Sequence, residues 1–174
     1  MAVLCYIETR NGEITQGASL AIGFSQQVAL QKGLPFMVAV AGANDEMKNS
    51  YQNLGAETVI LIDKDFPADF QIAARAAWLK NLTSEKSVSI FITDSATENS
   101  AVVAYTAGLL SAPVFTGVTQ GVGFDDSALS RNIYSGKLKG RYVFDGQLRI
   151  IVLAPGAGAL ADAKMCDKLE SYIF

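Results

Sequence analysis

Two short polar runs carry the residue types best suited to holding a small ligand. The first run, residues 8–11, directly follows an apolar segment of strand length that starts at residue 3. The second run, residues 94–97, directly follows an apolar segment that starts at residue 88. Hydroxyl groups and the amides of a helix end can hold a ribose or a phosphate. The sequence therefore predicts a ligand crevice formed by six residues: Glu8, Thr9, Arg10, Asp94, Ser95 and Thr97.

The second run also has a purely structural interpretation. Asp, Ser and Thr are preferred at helix N-caps, because their side-chain oxygen accepts a hydrogen bond from an amide of the first turn. A helical pattern begins at about Glu98, so Asp94, Ser95 and Thr97 are suitable capping residues for it. Ligand binding and helix capping both stay open here.

A glycine motif near the end of the chain has the residue pattern of a dinucleotide-binding fingerprint, but it does not lie where that fingerprint occurs in the fold. Residues 156–161 fit the G-x-G-x-x-[GA] pattern of dinucleotide-binding folds. That pattern belongs in the first strand-to-helix turn, with an acidic residue about 20 positions further on. Since the sequence stops at Phe174, we expect turn glycines here rather than a cofactor site.

Composition limits the chemistry further. The 174 residues include no histidine, which removes histidine acid–base catalysis and most zinc and iron sites. Fourteen basic against seventeen acidic residues give a net charge of −3, so nucleic acid and anionic membranes are not expected partners. Apolar residues make up 50% of the chain, which predicts one domain over residues 1–174 with a large core. We expect a protein that binds rather than catalyses.

The cysteines and the apolar windows indicate an intracellular protein. Cys5 lies in an apolar run, where a buried thiol is expected, and a bridge to the distant Cys166 stays open. Residues 1–7 lack the basic start of a signal peptide. The uncharged window 99–124 approaches the ~20 apolar residues of a membrane span, but Pro113 divides it into a helix and a strand. A cytoplasmic location is therefore expected.

Five apolar segments alternate with helical patterns along most of the chain. The segments begin at residues 3, 35, 58, 88 and 113, and one helical pattern lies in each interval. This rhythm predicts an α/β fold with a doubly wound parallel sheet, and we expect the common strand order 3-2-1-4-5 for it. In that order the first and fourth strands are neighbours, so the two polar runs should meet.

The rhythm changes in the last third. Residues 132–135, 137–144 and 148–154 are strand-like, and Asp145-Gly146 is a hairpin signal between the last two. They are predicted to be antiparallel edge strands near the C-terminus. A closing helix is predicted from Leu160 to about Tyr172.

Basic residues concentrate on these predicted edge strands, at Lys137, Lys139, Arg141 and Arg149. Alternation along a strand places the first three on one face and Leu138 on the other. Charged side chains on an exposed edge prevent unwanted strand pairing, and they also suit docking of an acidic partner. Both interpretations stay open.

Several stretches, taken together and in order, resemble the amino-terminal domain of electron transfer flavoprotein alpha subunits. They are residues 3–14 running into 19–20, residues 54–63, residues 92–97 with the next helix and strand, and residues 131–136 with their hairpin. The resemblance implies a doubly wound domain related to the adenine nucleotide alpha hydrolase-like fold. It also implies a module that packs against the beta subunit of a heterodimer, which carries electrons from acyl-CoA and other dehydrogenases to a quinone reductase.

In that family a second, carboxyl-terminal alpha domain chiefly holds FAD, and this sequence shows no counterpart of it. Lys137 also stands where the family commonly has Asn, and Ala154 where it has Arg. The resemblance thus implies a non-catalytic electron-transfer module, and FAD is not expected to be held by this chain alone. The implied partner is a beta-type subunit or an FAD-domain polypeptide, with a homo-oligomer as the alternative.

Two other classes are weighed on the residues. An adenine-nucleotide-binding protein resembling universal stress proteins would have a glycine-rich phosphate loop where residues 94–99 read Asp-Ser-Ala-Thr-Glu-Asn. An ATP-pyrophosphatase-like enzyme would need a serine- and glycine-rich loop where residues 8–13 read Glu-Thr-Arg-Asn-Gly-Glu. Both loops disfavour these classes.

Overall fold

The computed structural model describes residues 1–63, 71–119, 128–143 and 146–172. Within these ranges the helices are α1 (Gln16–Lys32), α2 (Lys48–Gln52), α3 (Gln71–Glu85) and α4 (Thr97–Leu110), with a 3-10 turn at Asp45–Met47. The strands are β1 (Ala2–Arg10), β2 (Glu13–Ile14), β3 (Phe36–Ala43), β4 (Thr58–Asp63), β5 (Val88–Thr93), β6 (Val114–Val118), β7 (Ala128–Ile133), β8 (Leu138–Val143), β9 (Arg149–Leu153) and β10 (Lys168–Tyr172).

These strands form one sheet of order β10-β4-β3-β1-β5-β9-β6-β7-β8, with β2 paired to β1. All neighbours from β10 to β6 are parallel, and β7 and β8 are antiparallel. The predicted doubly wound α/β fold is confirmed. The first four predicted strands are β1, β3, β4 and β5. Their order in the sheet, β4-β3-β1-β5, confirms the 3-2-1-4 part of the predicted order.

The fifth predicted strand, β6, is not next to β5, because β9 lies between them. The prediction that residues 148–154 form an antiparallel edge strand is therefore wrong. Ile150 and Ile151 are completely buried, and a strand apolar on both sides is stable only where both faces of the sheet are covered. The Asp145-Gly146 turn lies partly outside the described residues, since Asp145 is not among them.

The predicted closing helix from Leu160 to Tyr172 is also wrong. Residues 154–167 instead run as an irregular strap that crosses α1 and leads into β10, which pairs in parallel with β4. The strap is held by main-chain hydrogen bonds, including Ala159 N–H to Leu20 O at 3.2 Å and Cys166 N–H to Gln52 O at 2.8 Å. Met165, which the helical spacing would place on the core face, is 64% exposed.

The core consists of two apolar layers, one on each face of the sheet. Cys5 and Ile7 of β1 point into the layer beneath α1, whereas Leu4 and Tyr6 point into the layer beneath α3 and α4. The alternation follows from the pleat of the strand. Continuous apolar runs such as residues 3–7 thus contribute side chains to both layers.

Of the helices described, none is long and apolar enough to cross a membrane.

The two cysteines are free, and we expect only one to react with a thiol reagent in the folded chain. Burial raises the pKa of the Cys5 thiol to about 12, so it carries almost no thiolate at pH 8. Cys166, in the strap, is partly exposed. Titration with a chromogenic disulfide should therefore give one equivalent when native and two in denaturant. Two fast equivalents in the native protein would contradict the packing of β1.

Candidate functional site

The two polar runs lie at the carboxyl edge of the sheet, at the ends of adjacent strands. β1 and β5 are parallel neighbours, and Tyr6 is opposite Thr93 in their register. β1 continues to Arg10, so residues 8–10 extend past the end of β5 rather than forming a loop. The strand order changes direction here, and this is where open α/β sheets bind ligands.

The side chains of the first run diverge. The Thr9 hydroxyl donates to the Gly42 carbonyl at 2.5 Å and thereby ties β1 to β3. Glu8 points to the opposite face and contacts Arg75 of α3. Arg10 is exposed and lies opposite Glu13 in the β1–β2 pair. The structure therefore distributes Glu8, Thr9 and Arg10 over three surroundings rather than one pocket wall.

Asp94 is the one member of the second run that packs deeply, at 6% exposure. Its Oδ1 accepts hydrogen bonds from Ala96 N at 3.1 Å and from Asn99 Nδ2 at 2.6 Å. A Cβ added at Gly17 would lie 3.1 Å from its Oδ2, so the carboxylate packs against the first turn of α1. A negative charge is stabilising there, because the amino end of a helix carries a partial positive charge.

Ser95 and Thr97 contribute no buried contact of this kind. The N-cap of α4 is Ala96, without a side-chain cap, so none of Asp94, Ser95 and Thr97 occupies the capping position. Ser95 is half-buried and Thr97 is exposed. The structure brings Asp94 next to Asn99 and Gly17, neither of which the sequence analysis had selected.

A buried polar cluster holds the end of β1 to α3. The Tyr6 hydroxyl donates to Glu8 Oε1 at 2.8 Å, and Arg75 Nη1 donates to the same oxygen. The side chains of Arg75 and Glu8 are only 8% and 13% exposed. Burial raises the pKa of Glu8, partly offset by its hydrogen bond from Tyr6 and the Arg75 charge. Burial, followed by the Glu8 charge, raises the pKa of Tyr6.

This cluster and Asp94 leave the crevice poorly suited to a phosphate. In a doubly wound fold a phosphate is held at the start of the helix that follows the strand, and at α1 the carboxylate of Asp94 packs against that position. Glu8 is already bound by Arg75 and Tyr6. A second anion would therefore meet an unfavourable charge.

The glycines of the motif at 156–161 lie in a turn and a bend of the strap, and no helix begins there. Gly156 and Gly158 have φ values of 73° and 131°. A Cβ at Gly158 would lie 2.4 Å from the Leu20 carbonyl oxygen, so the strap packs on the backbone of α1. The motif begins no helix, and a pyrophosphate has no helix start to bind there.

Three exposed apolar side chains lie on the β7–β8 hairpin in the part of the chain that the structure describes. Tyr134, Leu138 and Val143 are 77%, 54% and 72% exposed. At its base, the Arg131 guanidinium lies 5.2 Å from the Tyr142 ring centre and 5.7 Å from that of Phe115.

The basic residues divide between two places. Lys137, Lys139 and Arg141 lie on the hairpin, whereas Arg149 lies in β9, two strands inward from β7. In the register of β7 and β8, Leu138 faces Ile133 and Lys139 faces Asn132. The separation of the basic and apolar faces of the hairpin stays a prediction: Lys137 lies in the turn before β8, and Val143, which is 72% exposed, alternates in phase with Lys139 and Arg141. In the ranges described, no three Cys, Asp or Glu side chains lie close enough to hold a metal ion.

Comparison with known proteins gives one family. A family model for the electron transfer flavoprotein domain matches residues 3–165. A search of curated proteins gave no match. The family match extends from β1 through the crevice and the hairpin into the strap.

Proposed function

Because the chain belongs to the electron transfer flavoprotein domain family, we propose that it is a non-catalytic module of an electron-transfer complex. It works in the cytoplasm by associating with a flavin-bearing or beta-type partner. The observation that carries this proposal is the family match over residues 3–165. A second observation, the exposure of Tyr134, Leu138 and Val143 on the hairpin, supports association with a partner.

A non-catalytic role agrees with the way the crevice uses its charged groups. A general base must reach the proton it removes from a substrate. The Glu8 carboxylate is instead bound by Tyr6 and Arg75 inside the fold, and Asp94 is bound by Asn99 and the Ala96 amide. Both carboxylates are therefore engaged in contacts within the fold at the carboxyl edge of the sheet.

The chain alone should not retain FAD. A flavin dinucleotide needs a place for its pyrophosphate, and two of the candidate positions are taken: Asp94 packs on the start of α1, and the glycine motif packs on Leu20. We expect the purified chain to be colourless and flavin absorbance to appear only in a peak that also contains a flavoprotein partner. Gel filtration with detection of protein and flavin tests this. Stoichiometric flavin in the chain alone would contradict the proposal.

Adenylates should also fail to bind at the crevice. A ligand at about 100 times its Kd stabilises a protein by about 2.7 kcal/mol, which is readily seen as a rise in Tm. We expect AMP and ATP at about 1 mM to leave the Tm unchanged, because their phosphates would meet the Asp94 carboxylate. A rise of several degrees that disappears in the Asp94→Ala, Thr97→Ala double variant would favour an adenine-nucleotide-binding protein instead.

A further inference from the structure

A pocket with a volume of about 410 Å³ lies at the amino edge of the sheet, at the opposite ends of the strands from the crevice. Pro35 and Phe36, at the start of β3, line it together with residues before β4, and the end of α1 and the strap complete its wall. Pockets that bind small molecules commonly have volumes of about 300–1,000 Å³. The pocket shares no lining residue with the crevice or with the hairpin.

The lining of the pocket is mostly apolar. Ala29 of α1 and Phe36 are buried, and Leu34 is half-buried. Leu30 is 72% exposed. Pro35 has a fixed φ, which keeps this part of the wall in one conformation. Covering these side chains with an apolar group removes apolar surface from water, which is favourable. The pocket therefore suits a ligand with a large apolar group.

The wall formed by α1 and the strap is already held in place. Gln26 Nε2 donates to the carbonyls of Gly55 at 3.1 Å and Asp162 at 3.0 Å. Its Oε1 accepts from the Asp162 N–H at 2.8 Å. The Gly55 N–H donates to the Lys164 carbonyl at 3.0 Å, which holds the strap a second time. A ligand that enters a pre-formed pocket pays less for ordering its surroundings.

Two side chains of opposite charge line the pocket, Lys164 of the strap and Glu57 before β4. Both residues are exposed, and within the described part of the chain neither side chain forms an ion pair or a hydrogen bond. The two charges therefore do not pair with each other across the pocket. A ligand that carries both an ammonium and a carboxylate can pair with each of them.

The end of α1 adds to this charge arrangement. Gly33 is the C-cap of α1 and lines the pocket. A Cβ at Gly33 would meet nothing within 4 Å, so the space beside it is open. The carboxyl end of a helix carries a partial negative charge and favours cations. Gly33 and Glu57 thus favour an ammonium, whereas Lys164 favours a carboxylate.

We propose that this pocket binds a free α-amino acid with a large apolar side chain. The apolar side chain lies against Ala29 and Phe36, the ammonium lies toward Glu57 and the end of α1, and the carboxylate lies toward Lys164. An apolar acid without an amine would meet the Glu57 charge unfavourably, and an apolar amine would meet the Lys164 charge. The pocket and the crevice are at opposite edges of the sheet, so this inference does not depend on the proposed function.

An NMR titration of the full chain with L-phenylalanine and with L-leucine tests where the ligand binds. We expect saturable shifts of the Gly33 and Gly55 amide signals at about 10 mM ligand, above the millimolar Kd of a weak site. The Gly17 amide, at the carboxyl edge, is the internal control and should not shift. Unchanged Gly33 and Gly55 signals with both amino acids would overturn the inference and leave the proposed function standing.

Two analogues of phenylalanine test whether both charges of the ligand are recognised. 2-Phenylethylamine lacks the carboxylate, and 3-phenylpropionate lacks the ammonium, but both keep the ring. Each should bind about threefold to fivefold more weakly than L-phenylalanine, which is the range for partly exposed ion pairs. Equal affinity of all three compounds would show that the pocket selects only the apolar group, and this would overturn the inference.

Charge removal in the chain assigns each contact. Lys164→Gln should weaken L-phenylalanine about threefold to fivefold and leave 2-phenylethylamine unchanged, because that analogue has no carboxylate to lose. Glu57→Gln should weaken L-phenylalanine and leave 3-phenylpropionate unchanged. The matched controls are Lys80→Gln and Glu85→Gln, at exposed positions of α3. An equal loss of L-phenylalanine affinity in the controls would show a general charge effect and overturn the inference.

Discussion

Replacement of Gly23 by alanine is expected to lower the free energy of unfolding by at least ~2 kcal/mol, at the upper part of the range for overpacked sites. A Cβ at this position would lie 2.0 Å from the Ala159 carbonyl oxygen and 2.4 Å from the Leu160 carbonyl carbon. Both atoms belong to the backbone of the strap, so no side-chain rotation relieves the collision. The strap would have to move away from α1.

The loss of stability in Gly23→Ala should exceed the cost of the steric collision alone, because the strap is also held by several hydrogen bonds. Gln26 of α1 donates to the Asp162 carbonyl at 3.0 Å and accepts from the Asp162 N–H at 2.8 Å. It also donates to the Gly55 carbonyl at 3.1 Å. Movement of the strap weakens this arrangement and pulls on β10, which continues from the strap and pairs with β4.

Gly108→Ala is the matched control, because it makes the same substitution inside a helix. A Cβ at Gly108 in α4 meets nothing within 4 Å. Alanine is favoured over glycine in helix interiors by about 0.5–1 kcal/mol, so this variant should be equally or more stable than the parent. Urea unfolding of both variants measures the difference. Equal stability of the two would contradict the close contact between the strap and α1.

Replacement of Arg75 by methionine should have the other large effect, about 3–5 kcal/mol of stability at neutral pH. The change keeps most of the side-chain volume but leaves the Glu8 carboxylate buried without its cation. Glu8→Gln should cost less, because the amide can still accept from Tyr6 and carries no charge. The Arg75→Met, Glu8→Gln double variant should be more stable than Arg75→Met alone, since the unpaired charge is then gone.

The destabilisation by Arg75→Met should depend on pH in a defined direction. Burial raises the pKa of Glu8 in the folded state, so the native chain binds its proton more tightly than the unfolded chain does. Stability then falls as pH rises from the ordinary carboxyl pKa, about 4.3, through the raised value. Without Arg75 that pKa rises further. The loss in Arg75→Met should therefore be small near pH 4 and greatest at pH 7 and above.

Unfolding by urea across this pH range measures the prediction. The Glu8→Gln variant should lack the Glu8 contribution to the pH dependence altogether. A destabilisation by Arg75→Met that is the same at pH 4 and pH 8 would show that the guanidinium acts through packing rather than by neutralising Glu8.

The sequence could predict the parallel sheet because its signals are local. Each βαβ unit shows an apolar run, a turn residue and a helical pattern, whereas the neighbours β4-β3-β1-β5 followed from the common strand order of doubly wound folds. The place of β9 depends on a long-range crossover that no local spacing records. Its Ile150-Ile151-Val152-Leu153 run was nevertheless a usable sign, since such a run suits a strand covered on both faces.

The C-terminal error has a different cause. Ala161, Met165 and Leu169 have helical spacing, but the segment passes over α1 and uses its main-chain groups to bind α1, α2 and the loop before β4. Main-chain groups that are bonded to other elements cannot also form the hydrogen bonds of a helix. The spacing alone carries no information about a neighbour that competes for the main chain.

The crevice shows the same limit. Strand order could predict that Glu8 and Asp94 follow neighbouring strands, because parallel strands end at one edge. It could not predict that Arg75, in the helix after β4, binds Glu8, or that Gly17 receives the Asp94 carboxylate. These contacts depend on how α1 and α3 sit on opposite faces of the sheet.

The molar mass of the chain in solution, measured by light scattering alone and with the beta-type electron transfer flavoprotein subunit of the same genome, tests the central claim most directly. We expect the mixture to give one species with the summed mass of one copy of each chain. A chain that stays monomeric in the mixture, with the subunit eluting separately, would contradict its role as a partner module in electron transfer.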